Sequence, residues 1–295
     1  MPALYLGLHL LLTALCIALA LLLRSRWALA LLCVVVLLAA GLGFGMERFP
    51  DWAWSTYSAY WPDLVYFSNL SLEAVAVLLT LLWRSSRDRA MRIRAAVLTV
   101  VALGVTARSY LWYFEPAPAG LTGTVDAKGL CRQTSKDSCS AASAAMLLHA
   151  RGIVTTEAEM AQLCLTRTGF GTPTLGLFRG VAAKARERGL TPRLVSIPIG
   201  DWGRAASLPL PAIISVGQRG AVPPELQDEL EGYGWTPGLR HALLLVNADP
   251  NGQWIEVADP SYGRERWPTR NLEYIWDGRA LTLQPTNRSE PHLVQ

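Results

Sequence analysis

Four long apolar segments dominate the first 114 residues and restrict how this part of the chain can fold. They consist mainly of Leu, Ala and Val, and each approaches the roughly 20 residues that a helix needs to cross the hydrocarbon core of a bilayer. The segments cover residues 4–23, 27–45, 64–83 and 95–114. The sequence therefore predicts a four-helix transmembrane domain, residues 1–114, with the lipid bilayer as its partner.

The charged residues between these segments predict how the domain is oriented. The loops after the first and third segments contain Arg24, Arg26, Arg84, Arg87, Arg89, Arg92 and Arg94. The loop after the second segment is acidic overall. Because arginine-rich loops stay in the cytoplasm, both ends of the domain are expected outside. The excess of Arg over Lys is typical of a GC-rich bacterium. We therefore predict a multi-pass protein of the inner membrane, with its second domain in the periplasm or outside the cell.

Two ionisable residues interrupt the apolar segments. Glu73 lies nine residues from the outer end of the third segment, and Arg108 lies about six residues from the outer end of the fourth. At a rise of ~1.5 Å per residue, the two positions have a similar depth. A charge in lipid is costly unless it is paired. We predict an intramembrane ion pair between Glu73 and Arg108, with Asn69 as a candidate third member. A structural clamp is favoured over a substrate or proton path.

The rest of the chain has the composition of an ordinary globular domain. It carries eighteen basic and eighteen acidic residues, without a basic patch. Nucleic acid is therefore not expected as a partner. We predict a linker at residues 115–130, a folded domain at 131–285 and a polar tail at 286–295.

Helical patterns come first in this domain and strand patterns come later. Capping residues and glycines delimit predicted helices at 139–151, 156–164 and 174–188. Short apolar runs predict strands at 192–197, 211–216, 241–248, 253–259 and 280–283, with two short helices at 223–231 and 269–276. Helices and strands that are segregated in this way indicate an α+β fold with an antiparallel sheet.

A cysteine at the start of a predicted helix is the leading candidate for chemistry. Asp137 or Ser138 can cap this helix, which places Cys139 beside oriented N–H groups that favour a thiolate. Considered alone, Cys139 fits equally well as a small buried residue of an Ala-rich helix. Gln133, six residues earlier, is placed to stabilise an oxyanion together with the backbone N–H of Cys139.

A thiolate nucleophile needs a histidine as its base, and the chain has four. His9 lies in an apolar segment and His292 lies in the tail. His149 is ten residues after Cys139 on the same helix, about 15 Å along its axis. This leaves His241, at the mouth of a continuously apolar strand. A hydrogen-bonded core histidine is the alternative interpretation.

Asp259 ends the next predicted strand and could orient the imidazole of His241. The alternative is an ordinary strand-ending turn at Asp259 and Pro260. If His241 lies opposite Asp259 in a hairpin, the register requires a five-residue loop, 248–252, or a bulge. A four-residue loop would put the two side chains on opposite faces of the sheet.

Metal and cofactor chemistry has little support in the sequence. It contains neither a Walker-type glycine loop nor an HExxH motif. Cys139 and one suitable histidine are too few ligands for zinc. Cys131 and Cys164 flank the candidate site and could form a disulfide in an oxidising compartment, and the predicted topology favours this over two buried thiols.

Together these segments resemble a known family. The matching segments are Cys131-Arg-Gln133, Asp137-Ser-Cys139-Ser-Ala-Ala, Thr156-Glu-Ala-Glu-Met-Ala, Gly171-Thr-Pro-Thr-Leu-Gly176, His241-Ala-Leu-Leu-Leu-Val246 and Val257-Ala-Asp-Pro260. They are similar to the bacteriocin-processing cysteine peptidases, the double-glycine leader peptidases of the papain-like class. The resemblance covers residues 131–283. It implies a papain-like fold, a Cys139 nucleophile, a His241 base, an Asp259 orienting residue and Gln133 at the oxyanion hole.

The leading hypothesis is a membrane-anchored thiol peptidase that acts on peptides or protein tails at the outer face of the membrane. Other membrane proteins are further candidate partners. A papain-like amidase or acyltransferase could use the same residues. A sensor or adaptor without catalytic activity could retain the fold to bind peptides, which an unreactive Cys139 would indicate. A transporter is disfavoured, because four spans with one ion pair define no pathway.

Overall fold

The computed structural model describes residues 2–48, 62–67, 70–86, 88–110, 115–197, 200–219, 221–232, 235, 238 and 240–286. The chain forms two compact units. The first consists of Met1–Pro50 and Asp63–Glu115, and the second consists of Asp51–Pro62 and Pro116–Gln295.

The first unit is helical. Its long helices are α1 (Pro2–Leu22), α2 (Arg26–Arg48), α3 (Ser71–Ser85) and α4 (Arg89–Tyr110). Helix α3 contacts each of the other three. Its Ala74 and Val77 are buried against Cys16 of α1 and Val36 of α2. The predicted helices are therefore present, and α3 is the central one.

The lengths and compositions of the observed helices do not support the prediction of four membrane spans. Among the described residues, only Leu4–Leu22 of α1 is long and apolar enough to cross a membrane. The apolar part of α2, Arg26–Leu42, is shorter. Helix α3 has 15 residues, fewer than a span needs. Helix α4 carries three arginines in its first six residues, which lowers its hydropathy. By this criterion the part of the chain that the structure describes has one candidate span in place of four.

Glu73 of α3 is buried and bonded to a residue that the sequence did not suggest. Its Oε1 lies 2.6 Å from Nδ1 of His9 on α1. The Nε2 of His9 lies 2.6 Å from the carbonyl oxygen of Tyr66. Packing of α1 against α3 thus provides the polar partner that a buried carboxylate needs. The side chains of Arg108 and Asn69 lie outside the described residues, so their predicted contacts with Glu73 stay predictions.

The second unit has the predicted α+β architecture. Its first three helices are α5 (Cys139–His149), α6 (Glu157–Leu163) and α7 (Thr174–Ala185). The strands are β1 (Leu190–Ser196), β2 (Ala212–Val216), β3 (His241–Ala248), β4 (Trp254–Asp259), β5 (Gly263–Pro268) and β6 (Trp276–Pro285). Two short helices, α8 (Pro224–Gly232) and α9 (Leu272–Ile275), lie between strands. The strands form one antiparallel sheet in the order β1-β6-β2-β3-β4-β5.

Strand β5 was not predicted, because its sequence lacks an apolar run. It is an edge strand, and its Arg264 and Arg266 are exposed while Trp267 is buried. Arg266 lies over the ring of Trp254 at 4.1 Å from the ring centroid. Charged side chains are a common means of protecting a sheet edge from pairing with another chain.

Two hydrophobic cores lie on opposite faces of the sheet. Ala242 and Leu244 of β3 pack in one core with the helices α5, α6 and α7. Leu243 and Leu245 pack in the other core, which contains Trp267 and other large aromatic residues. Alternate residues of a strand point to opposite faces, so the continuous apolar run of β3 follows from burial on both sides.

The close contact between α7 and the end of α6 generates a prediction. A Cβ at Gly180 would lie 2.2 Å from Sγ of Cys164 and 2.8 Å from its backbone nitrogen. Gly180→Ala should therefore lower the free energy of unfolding by about 1–3 kcal/mol, as overpacking does. Chemical unfolding followed by tryptophan fluorescence measures this change. Gly232→Ala, which meets nothing within 4 Å, is the matched control. Equal stability of the two variants would contradict the packing.

Candidate active site

Cys139 is the first residue of α5 and is partly buried. No side chain caps this helix at its N-terminus. The hydroxyl of Ser138 lies instead 2.7 Å from the carbonyl of Ser135 and 2.6 Å from Oε1 of Glu157. The carboxylate of Asp137 accepts from the backbone N–H of Gly169. Neither predicted cap is therefore made, and the positive end of the helix dipole remains available to a thiolate at Cys139.

His241 and Asp259 form a buried hydrogen-bonded pair. Nε2 of His241 lies 2.9 Å from Oδ1 of Asp259, and the Asp259 side chain is 1 % exposed. Oδ1 also accepts from the backbone N–H groups of Ser261 (2.6 Å) and Tyr262 (3.2 Å). The turn after β4 thus fixes the carboxylate, and the carboxylate fixes the imidazole. Since Nε2 is bound to Asp259, Nδ1 is the ring nitrogen that is left for the thiol.

A bulge in the β3–β4 hairpin puts these two side chains on the same face. Near the loop, Asn247 pairs with Glu256, a register that would place His241 and Asp259 on opposite faces. The register shifts between Leu245 and Asn247, and Leu245 then pairs with Val257. The last pair of the hairpin is Ala248 with Ile255, so the loop has six residues, 249–254, in place of the predicted five-residue loop 248–252. The predicted bulge is present, but His241 and Asp259 are diagonal neighbours and not directly opposed.

Cys139 and His241 each stabilise the charged form of the other. Burial alone would raise the pKa of the Cys139 thiol, but the hydrogen bond and the charge of His241, with the backbone of Ala242, hold this pKa below its ordinary value of 9.0. Burial also opposes the imidazolium, yet hydrogen bonds with Asp259 and Cys139 raise the pKa of His241 to about 9. The contact thus favours the thiolate, which is the nucleophilic form of a cysteine.

Gln133 lies in the loop before α5 and is joined to the turn after β4. Its backbone N–H donates to the carbonyl of Pro260 at 3.1 Å. Its side-chain Nε2 donates to the carbonyl of Ser135 at 3.0 Å. An amide nitrogen has two donors, so one N–H is left for another acceptor. The buried Oε1 has no hydrogen-bond partner among the described residues.

The disulfide predicted between Cys131 and Cys164 is wrong for this conformation, because both are free thiols. Sγ of Cys164 lies in the contact with Gly180 and 3.8 Å from the carbonyl of Leu177. Sγ of Cys131 lies 4.0 Å from the carbonyl of Arg132. Burial raises the pKa of each thiol to about 12. These two cysteines are core residues, and their raised pKa opposes formation of a thiolate.

Two residues around the site were missed by sequence reasoning. Trp235 is buried, and its ring centroid lies 6.1 Å from that of His241. It comes from a loop without a periodic pattern that could have indicated its position. Glu157 bonds to the loop before Cys139, but in the sequence it is an ordinary acidic residue in the first turn of a helix. Among the described residues, no group of three His, Cys, Asp or Glu side chains could hold a metal ion.

Comparison with known proteins finds similarity in solved structures alone. No family model and no curated protein matches the sequence. The peptidase domain of Streptococcus ComA, a bi-functional ABC transporter involved in a quorum-sensing pathway, is 18% identical, with 52% of this chain and 96% of that chain covered and a TM-score of 0.40. A double-glycine motif protease from an AMS/PCAT transporter, in complex with a leader peptide, is 18% identical, with 58% and 99% covered and a TM-score of 0.39. The peptidase domain of Streptococcus mutans ComA is 19% identical, with 53% and 99% covered and a TM-score of 0.36.

Alkylation of Cys139 by iodoacetamide should be rapid at neutral pH and should depend on His241. The thiolate of the wild-type protein forms below the ordinary pKa of a cysteine, so the rate should reach its plateau at lower pH. In His241→Ala the stabilising charge is lost and burial remains, which should move the rate–pH curve to higher pH. Mass spectrometry of the Cys139 peptide, from acid to alkaline pH, measures both curves.

His149→Ala is the matched control, because this histidine is on the same helix but is exposed. Its curve should coincide with that of the wild-type protein. If His241→Ala also left the curve unchanged, the ion pair would be refuted.

Proposed function

We propose that this chain is a cysteine-type peptidase that hydrolyses peptide bonds through Cys139, His241 and Asp259, with Gln133 in the oxyanion hole. The observation that carries the proposal is the 2.9 Å bond between His241 and Asp259, formed beside a thiol whose pKa is lowered by His241. Among buried cysteines, a lowered pKa requires a specific charged partner, since burial alone has the opposite effect. A core cysteine has no need of this arrangement.

The proposed reaction has two steps. The Cys139 thiolate attacks the carbonyl carbon of the scissile bond, and the carbonyl electron pair moves to oxygen. The amide N–H of Gln133 and the backbone N–H of Cys139 stabilise this oxyanion. Its collapse breaks the C–N bond as the His241 imidazolium protonates the leaving amine, which leaves a thioester on Cys139. Water, deprotonated by His241, then attacks the thioester and releases the carboxylate product and the thiolate.

Asp259 has an electrostatic and an orienting role in this scheme. Its carboxylate accepts two backbone N–H groups and the imidazole N–H. It therefore favours the imidazolium needed to protonate the leaving amine. It also fixes the ring so that Nδ1 faces the thiol. The buried ring of Trp235 lies 6.1 Å from that of His241, and an apolar neighbour of this kind strengthens the interaction between the charges.

We further propose that the helical unit anchors the chain in a bacterial inner membrane, with the peptidase unit on the outer side. Helix α1 is a candidate span, and Arg24 and Arg26 follow it. Among the described residues, nearly all exposed large hydrophobic side chains belong to the helical unit, and the second unit contributes three, Val154, Phe170 and Tyr262. Trp27 is one example of an apolar side chain exposed on these helices. Helices that expose apolar residues along their length are suited to lipid rather than to water.

The full chain in detergent should cleave peptides from a mixture of exported proteins. Gln133→Ala should lower the turnover by about 10²–10³-fold, the usual cost of one oxyanion donor, without changing the rate of Cys139 alkylation. Cys139→Ser should abolish turnover. Mass spectrometry counts the new peptide termini. Free carboxylate ends indicate hydrolysis, whereas capture of an added amine would favour an acyltransferase. A rapidly alkylated Cys139 with neither product would refute the peptidase and favour a binding protein.

The proposed orientation predicts the accessibility of Cys139 in intact cells. A membrane-impermeant maleimide should label Cys139 in sealed spheroplasts before lysis. Cys131 and Cys164 should not compete, since both are fully buried with raised pKa values. Cys139→Ser is the control for labelling elsewhere in the chain. Labelling of Cys139 only after lysis would place the peptidase unit in the cytoplasm.

A further inference from the structure

A buried carboxylate holds the loop that leads to Cys139. Glu157, the first residue of α6, is 0 % exposed. Its Oε1 accepts from the backbone N–H of Thr134 (2.7 Å) and from the hydroxyl of Ser138 (2.6 Å). Its Oε2 accepts from the hydroxyl of Thr134 (2.6 Å) and from the backbone N–H of Gly123 (2.9 Å). Four neutral donors from two separate segments therefore converge on one carboxylate.

These bonds constrain both sides of the contact. A carboxylate removed from water is costly unless donors replace its hydration shell, and hydrogen bonds to an ionised acceptor are about twice as strong as neutral ones. Displacing any of the donors would leave a buried charge poorly solvated. The backbone at Gly123 is also closely packed. A Cβ there would lie 2.5 Å from the carbonyl oxygen of Arg132 and 2.6 Å from Oε2 of Glu157.

The donors are next to the groups that the proposed reaction requires. Thr134 follows Gln133, and Ser138 precedes Cys139. Glu157 thus holds the residue beside each proposed oxyanion donor. On the other side of the loop, the backbone N–H of Gln133 is bonded to Pro260, next to Asp259. The loop is therefore fixed from α6 and from the turn after β4.

We propose that Glu157 is a positioning residue that fixes Gln133 and the backbone N–H of Cys139 relative to each other, so that both donate to one oxyanion. This inference rests on the function proposed above. Glu157 is not among the groups that interact with the thiol, which are His241, Ala242 and Ser140. Its loss should therefore weaken oxyanion binding and leave the thiolate unchanged.

Two reagents separate these effects in the full chain in detergent. Iodoacetamide needs the thiolate but no oxyanion site. A peptide aldehyde needs both, because its hemithioacetal forms when the thiolate sulfur adds to the aldehyde carbon and the carbonyl electron pair moves to oxygen, in the position of the oxyanion. Protection of Cys139 from iodoacetamide by increasing aldehyde concentrations gives the affinity for the aldehyde.

Glu157→Gln keeps the size of the side chain but turns an amide NH2 towards two of the four donors, so the loop must move. We expect the variant to bind the aldehyde about tenfold to a hundredfold more weakly, since a displacement of about 1 Å can have an effect of this size. The rate of alkylation without aldehyde, and its dependence on pH, should match the wild-type protein.

Two further variants make the test specific. Glu159→Gln is the same change two residues later on the same helix, where the carboxylate bonds to Lys184 at 2.6 Å near the surface. It should bind the aldehyde like the wild-type protein. Thr134→Val removes one donor to Oε2 and keeps the backbone N–H. Like Glu157→Gln, it should lower the affinity for the aldehyde. Thr134 is exposed, so this variant carries the test if Glu157→Gln does not fold.

Each outcome decides between the two proposals. If Cys139 of the wild-type protein is alkylated but is not protected by the aldehyde, the proposed peptidase function fails and this inference fails with it. If the wild-type protein is protected, and Glu157→Gln and Thr134→Val are protected equally well, the positioning role is overturned and the peptidase proposal stands. If Glu157→Gln slows alkylation as much as it reduces protection by the aldehyde, Glu157 stabilises the whole site. This outcome would also overturn the positioning role.

Discussion

The docking of helix α5 on strand β3 determines the distance between Cys139 and His241. The buried hydroxyl of Ser143 donates to the carbonyl of Ala242 at 3.0 Å. Ser143 is one helical turn after Cys139, and Ala242 is next to His241, so a single bond joins the two halves of the site. The other buried positions of the helix near this bond are alanines with 0 % exposure, Ala141, Ala142, Ala144 and Ala145. Small side chains let a helix lie close to its neighbour, and this packing holds Cys139 beside His241.

The position of Asp259 depends on a different constraint, the twist and register of the hairpin formed by β3 and β4. The register next to the loop would put His241 and Asp259 on opposite faces of the sheet, and the bulge between Leu245 and Asn247 puts them on the same face. This bulge lies in the strand, away from the site. The tight turn after Asp259 then supplies two N–H groups to the carboxylate. Burial of a carboxylate with 1 % exposure is costly unless hydrogen-bond donors replace its hydration shell. The backbone thus solvates the charge that orients His241.

The sequence predicted those features that depend on local pattern. Periodicity and capping residues located the helices, and at the start of α6 the hydroxyl of Thr156 accepts from the N–H of Glu159. Features that depend on tertiary packing could not be read in this way. Strand β5 has no apolar run and exists because β4 offers it a partner. The pairing of His9 with Glu73 depends on how α1 meets α3. The buried bonds of Glu157 join three segments whose proximity is visible only in the folded chain.

The order of Gln133, Cys139, His241 and Asp259 in the sequence was sufficient to suggest the candidate site. It did not indicate the electrostatics of the site. Cys131, Cys139 and Cys164 belong to one hydrophobic core. Burial raises the pKa of Cys131 and Cys164 to about 12, while Cys139 has a lowered pKa although burial opposes it too. The difference lies in the partner: the low dielectric that penalises an isolated thiolate also strengthens its attraction to an imidazolium. Burial therefore raises the pKa of two of these thiols, and the contact with His241 is what distinguishes the third.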